Sequence, residues 1–188
     1  MNRNVKRIAI NLAIFSALLM TSCSAKYTSY SNEIFIGKSL FQEKEYEKAK
    51  QYFIQASKDQ YDSVSLALLG SSYYKTGDID NAERTLLEAE KIDKNSEFLL
   101  RIIGYKSLVL FQRNKPEGFD VLRQYVKYVK QRQLPMEMHD FERMIEKNKV
   151  DLAVLDAKIE EQTNWYEDEM KKLLNNEPGY LTEKYGHQ

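Results

Sequence analysis

Few side chains in this sequence are of the kinds that carry out chemistry. The chain has 188 residues, with one cysteine and two histidines. His139 has no second metal ligand at helical spacing, and His187 lies next to the C-terminus. Residues 78–81 begin like a calcium loop, but Glu83 occupies the sixth position, where such a loop needs glycine. No phosphate-binding, nucleophile-elbow or zinc-protease motif occurs, so we predict no enzyme activity, no metal and no cofactor.

The single cysteine follows a segment that is typical of export signals. Three positive charges lie in residues 2–7, and an apolar stretch of 13 residues runs from Ile8 to Met20. That stretch is short, because a membrane-spanning helix needs about 20 residues. Met20-Thr21-Ser22-Cys23 resembles the bacterial lipobox, in which an apolar residue and two small residues precede a lipidated cysteine. The resemblance implies a cleaved signal peptide over 1–22, a diacylglyceryl thioether on Cys23, and a further acyl chain such as palmitate on its new N-terminus.

The residue after the cysteine bears on whether a lipoprotein stays in the inner membrane or moves to the outer membrane. In lipoproteins of enteric-type bacteria an aspartate there favours retention in the inner membrane, and this chain has Ser24. The resemblance therefore implies a lipid anchor on the periplasmic face of the outer membrane, with residues 23–30 as lipidated cysteine and short tether. An ordinary signal peptide with a chance cysteine and an uncleaved membrane anchor are the alternatives.

The composition of the rest of the chain indicates a helical, globular body. Hydrophobic residues make up 43% and charged residues 30%, and only seven glycines and three prolines occur. Basic and acidic residues balance over the whole chain. The first 22 residues hold three cations and no acid, so the remainder carries a net charge of −3. That value gives no electrostatic footprint for nucleic acid.

An internal repeat organises the middle of the sequence. Gly37, Gly70 and Gly104 lie 33 and 34 residues apart. The residues 12, 16 and 19 positions after each of the first two glycines are small, large and small apolar residues in that order. They are Ala49, Phe53 and Ala56 in the first repeat and Ala82, Leu86 and Ala89 in the second. Small residues at such positions let two helices approach closely. In the third, diverged repeat Gly118, Leu122 and Tyr125 take these places.

The repeat resembles the tetratricopeptide repeat, a helix–turn–helix unit of about 34 residues. The resemblance implies an all-α fold, a right-handed superhelix of about three helical hairpins over residues 31–130. In the second repeat Gly77 can end one helix and Asp78 can cap the next.

A C-terminal helical segment, 131–175, follows the repeats. No glycine or proline interrupts residues 136–177, and an imperfect apolar seam runs from Phe141 to Leu173. One long helix and two shorter helices both fit. We favour a break near 148–151, because Asp151 can cap a new helix that covers the last repeat. Residues 176–188 are expected to form a flexible tail.

In the tetratricopeptide architecture the first helix of each hairpin lines a concave surface where partner segments lie. We call this the repeat groove, and the residues predicted to face it are Ile34, Lys38, Phe41 and Gln42, then Ala67, Ser71, Tyr74 and Lys75, then Arg101, Tyr105 and Leu108. Cations and rings suit an extended segment with acidic or C-terminal carboxylate groups.

These features together predict a membrane-anchored scaffold that recruits an envelope protein. Small tetratricopeptide lipoproteins resemble the pilotins of type IV pili and the assembly lipoprotein of tight-adherence (Flp) pili, which help secretin subunits to reach or assemble in the outer membrane. The alternatives are an adaptor for peptidoglycan enzymes or outer-membrane protein assembly, and a lipid-anchored structural protein that dimerises through residues 141–173.

Overall fold

The computed structural model describes residues 28–93 and 98–186, and every regular element in these two ranges is a helix. The chain divides after Tyr61 into two compact units. The all-helical fold class is therefore confirmed for the described residues. Cys23 and the signal segment 1–22 lie outside them, as does His187.

The first unit is one helical hairpin. Helix α1 covers 28–42 and helix α2 covers Tyr46–Asp59. Gly37 faces α2 so closely that a Cβ atom there would lie 2.5 Å from Cε1 of Phe53. Ala49, Phe53 and Ala56 are buried, as the repeat pattern predicts. Residues 28–30 are already helical, so the tether predicted over 23–30 is too long by three residues.

The second unit begins with two more hairpins. Helices α3 (Ser63–Lys75) and α4 (Ile79–Ile92) form the first, and α5 (Leu99–Gln112) and α6 (Gly118–Gln131) form the second. Helix α5 also packs on both α3 and α4, so the two hairpins are stacked. The predicted small and large residues of these repeats are buried, including the diverged set Gly118, Leu122 and Tyr125.

The helices end in one recurrent way. In the described ranges, every residue with a positive φ follows a helix, namely Lys44, Gly77, Asn114, Gln133, Asn148 and Asn176. In each case the next backbone N–H reaches back to a carbonyl in the last helical turn, as Asp78 N does to Tyr73 O at 2.9 Å. Glycine and asparagine tolerate this left-handed conformation best, which explains four of these six positions.

Three helices complete the second unit: α7 (His139–Glu146), α8 (Leu152–Leu174) and α9 (Tyr180–Tyr185). The preferred break is confirmed, because the Asp151 carboxylate accepts a hydrogen bond from Val154 N and caps α8. The long α8 packs along α5, and the short α9 packs on α8.

The prediction of a flexible tail over 176–188 is wrong for most of that segment. Leu181 of α9 is buried, and its backbone N–H donates to the Glu169 carboxylate. The hydroxyls of Tyr180 and Tyr185 donate to the carbonyls of Gln133 and Arg132. These long-range contacts hold α9, although its six residues would not form a stable helix alone.

Candidate interaction site

The first-repeat part of the repeat groove lies on α1. Ile34 and Lys38 are half-buried and Gln42 is exposed. Phe41 is buried, and its ring packs edge-on against Tyr46 at 5.0 Å. Phe41 therefore belongs to the hairpin core rather than to a binding surface, and this part of the prediction is corrected.

The second- and third-repeat parts of the repeat groove are already occupied. Ala67, Ser71, Arg101, Tyr105 and Leu108 are all buried. The occupant is α8 of the same chain, which lies against α5 so tightly that a Cβ on Gly104 would come within 2.7 Å of Ile159 Cγ2. The second unit therefore presents no open groove along α5, because its own C-terminal helix packs on α5, and Lys75 at the end of α3 also contacts that helix.

As predicted for groove residues, a cation binds carboxylates and aromatic rings pack together, but the carboxylates belong to α8 of the same chain. Lys75 Nζ lies 2.6 Å from Asp156 Oδ1 and 2.5 Å from Glu160 Oε2, both on α8. The neighbouring Tyr74 ring meets Tyr105 edge-on at 5.7 Å. Burial, with the negative charge of Asp156 nearby, raises the pKa of Tyr74 above its ordinary value, so this phenol stays neutral.

Arg101 is the most deeply placed of the groove cations. Its Nε pairs with the Glu167 carboxylate, and both side chains are 1% exposed. Its Nη2 donates to Asn164 Oδ1 at 2.6 Å. Burial by itself would lower the pKa of Arg101, but the charge and hydrogen bond of Glu167, together with Tyr105 and Glu160, raise it, so the Arg101 guanidinium stays charged inside the unit.

The acidic face of α8 is what the sequence interpretation missed. Asp156, Glu160, Asn164 and Glu167 follow one another at helical spacing beside the apolar seam. That spacing predicts a helix with one polar face, but it does not predict which cations this face contacts.

The polar positions of the seam also have partners. Gln162 accepts a hydrogen bond from Tyr125 Oη at 3.0 Å and donates to Glu137 O at 3.1 Å. Burial raises the pKa of Glu169, but hydrogen bonds from Lys172 and from Leu181 N outweigh it and hold that pKa below its ordinary value. The middle of the seam, from Leu155 to Glu169, is thus buried by contacts within the chain.

The two weaker chemical candidates are a helix cap and an exposed histidine. Asp78 caps α4 by accepting from Asn81 N at 3.2 Å, so the calcium-like sequence is a helix start. His139 is exposed at the start of α7. Within 28–93 and 98–186 no cluster of acids, histidines or cysteines has the arrangement of a metal site. None of the helices in the same ranges is both long and apolar enough to cross a bilayer.

The described residues form helical hairpins, two of which are stacked within the second unit. Comparison with known families makes this specific: the model described as Tetratricopeptide repeat matches residues 34–58 and 64–96. These segments correspond to the hairpins α1–α2 and α3–α4, so the first two predicted repeats are confirmed. Tetratricopeptide repeats typically serve as protein-interaction scaffolds rather than as enzymes. No curated protein and no solved structure matches the chain.

Proposed function

We propose that this chain is a lipid-anchored protein-interaction module of the bacterial envelope, which recruits a protein partner such as a secretin subunit during assembly of a pilus or secretion machine. The observation that carries the proposal is the pair of tetratricopeptide hairpins at 34–58 and 64–96. The lipobox-like residues that end in Cys23 support the membrane anchor.

The distance between lipid and repeats bears on how such a module works. The first hairpin is already helical at residue 28, five residues after Cys23. Even a fully extended chain of that length spans at most about 18 Å. A lipid on Cys23 would therefore keep the first repeat close to the membrane surface, where envelope partners insert or assemble.

The surface of α1 is the natural place for partner contact. Phe35 is 69% exposed, an unusual position for so large an apolar side chain, and the half-buried Ile34 and Lys38 lie beside it in sequence. The repeat groove residues of α5 are buried beside α8, and those of α3 are buried or half-buried, so the exposed Phe35 makes the first repeat the more accessible surface. Aromatic side chains with this exposure are frequent anchors in protein interfaces.

Lipidation is tested by labelling cells with a clickable palmitate analogue. The wild-type chain and a Ser24→Ala control should incorporate the label, and Cys23→Ala should not. Cys23→Ala should also appear in the soluble periplasmic fraction or accumulate as a precursor. Label that persists in Cys23→Ala would overturn the anchor.

Partner recruitment is tested by photocrosslinking in living cells. A photoreactive amino acid at Phe35 should give a crosslinked product with an outer-membrane secretin or another envelope assembly protein. The same amino acid at the exposed Lys48 on α2 serves as control. Absence of any envelope protein among the products from position 35 would argue against the module.

A further inference from the structure

A second accessible surface lies at one end of the second unit, away from the covered groove. The turn between α5 and α6 and the loop between α7 and α8 enclose an open cleft of about 520 Å³, which we call the loop cleft. Its apolar lining includes Phe111, Phe119, Val150 and Leu152, and its cations are Lys115 and Lys149.

The floor of the loop cleft is an ordered aromatic pair. The rings of Phe111 and Phe119 meet edge-on with centroids 4.9 Å apart, and both residues are half-buried. Gly118 makes this possible, because a Cβ there would lie 2.7 Å from Phe111 Cε1. Val150 and Leu152 are also half-buried and complete a recessed apolar surface.

Both loops that frame the cleft are fixed by backbone hydrogen bonds. Asn114 and Asn148 have φ values of 54° and 45°. The amide that follows each of them bonds back into the preceding helix, Lys115 N to Leu110 O at 2.9 Å and Lys149 N to Met144 O at 3.1 Å. A surface that is formed before binding loses less conformational entropy when a ligand arrives.

The two charged residues that line the loop cleft are both lysines. None of the described residues that line it is acidic. Lys149 is exposed, while Lys115 Nζ lies 3.2 Å from Glu83 Oε1 and remains 44% exposed. An adjoining depression shares Lys149 and adds Lys147 and Arg143, the second of which is already paired with Asp140. Its single carboxylate, Asp151, is already engaged as the cap of α8.

We infer that the loop cleft binds an acidic segment of a protein partner, with an apolar or aromatic side chain on the Phe111–Phe119 floor and carboxylates toward Lys149 and Lys115. Charge complementarity points to an anionic ligand. The recessed apolar floor favours a peptide over a membrane, since insertion into lipid needs apolar side chains that protrude. The inference rests on the proposed function, because it takes the ligand to be a protein.

Selection from a library of random short peptides, displayed on phage and presented to the full-length chain in detergent, tests the cleft. Enriched peptides should combine acids with Leu, Phe or Trp. Their affinity should fall by about tenfold or more for Lys149→Glu and should not change for Lys127→Glu, which reverses an exposed charge on α6 outside the cleft. Both variants should melt at the wild-type temperature, because neither side chain is buried.

Several results would overturn the inference. Enriched peptides that are basic, peptides that ignore Lys149→Glu, or no enrichment at all would each do so. Binding to phosphatidylglycerol vesicles tests the alternative that the cleft binds lipid. If Lys149→Glu abolishes vesicle binding and leaves peptide binding intact, the surface is a lipid site.

Photocrosslinking from position 149 separates this inference from the proposed function. Capture of an envelope protein from position 35 alone would leave the module standing and remove the cleft.

Discussion

At the scale of single residues, the glycines of the repeat mark the points of closest helix contact. A Cβ on Gly70 would lie 2.7 Å from Leu86 Cγ, and the equivalent atom on Gly37 would meet Phe53. On Gly104 it would meet Ile159 of α8 instead, with Tyr125 next at 3.2 Å. The third glycine thus serves two contacts, one inside its hairpin and one with the helix that covers the groove.

Replacing Gly70 with leucine should destabilise the second unit. The added side chain overlaps Leu86, and overpacking of this kind costs about 1–3 kcal/mol. Urea unfolding followed by far-UV circular dichroism measures the loss. Glu161→Leu is the matched control, because it adds the same side chain at an exposed position of α8. Equal stability of Gly70→Leu and the wild type would contradict the observed hairpin contact.

The buried pair Arg101–Glu167 is the second residue-scale determinant. Arg101→Met should cost about 3–5 kcal/mol, because it leaves the Glu167 carboxylate buried without its cation. The double variant Arg101→Met/Glu167→Met should recover much of that loss, since no unpaired charge remains. Thermal unfolding of the two single variants, the double variant and the wild type completes the cycle. A double variant no more stable than Arg101→Met would show that the pair acts mainly through packing.

At the scale of elements, α8 is held at its beginning by charges from the α7 region. Lys158 Nζ lies 3.1 Å from Glu137 Oε2 and 2.9 Å from Asp140 Oδ2. The hydrogen bonds from Lys158 lower the pKa of both carboxyl groups. A carboxyl group with a lowered pKa in the folded state stabilises the fold above its unfolded pKa of about 4, and this contribution disappears as the pH falls through the folded value.

Lys158→Met should therefore reduce stability at neutral pH and have little effect at strongly acidic pH. With the lysine gone, the two carboxyl groups return toward their ordinary pKa values, so the acid-dependent part of the stability becomes smaller. Urea midpoints measured from neutral to acidic pH test this. Lys127→Met, which removes an exposed lysine elsewhere, should shift the curve without changing its slope with pH. Parallel curves for Lys158→Met and the wild type would contradict the assignment.

The elements also show which structural information the sequence holds. The hairpin contacts at Gly37 and Gly70, the break before α8 and the Asp151 cap were predictable, because they depend on neighbours within one or two turns or on a repeated spacing. The docking of α8 was not, because it depends on pairings between residues far apart, such as Lys75 with Asp156. Helix α9 was missed for the same reason, since its contacts with Gln133 and Glu169 are tertiary.

At the scale of the whole molecule, the two units offer partners different surfaces. The first unit presents α1, with the exposed Phe35. In the second unit α8 packs along α5, and the loop cleft is open. In the second unit the repeat helix α5 thus binds α8 of the same chain, while α1 in the first unit and the loop cleft in the second are exposed.

The contacts of α8 indicate that it stays packed against α5. Residues 159–167 of α8 include the buried Ile159, which lies against Gly104 of α5, and the buried Glu167, which pairs with Arg101 of α5. Hydrogen exchange measured by mass spectrometry should therefore show these residues as slow as the middle of α5, and Arg101→Met should accelerate both together. A displaceable helix would exchange faster than α5 in the wild type and would lose protection further when a partner binds. Equal protection of α8 with and without partner would show that the partner binds without displacing this helix.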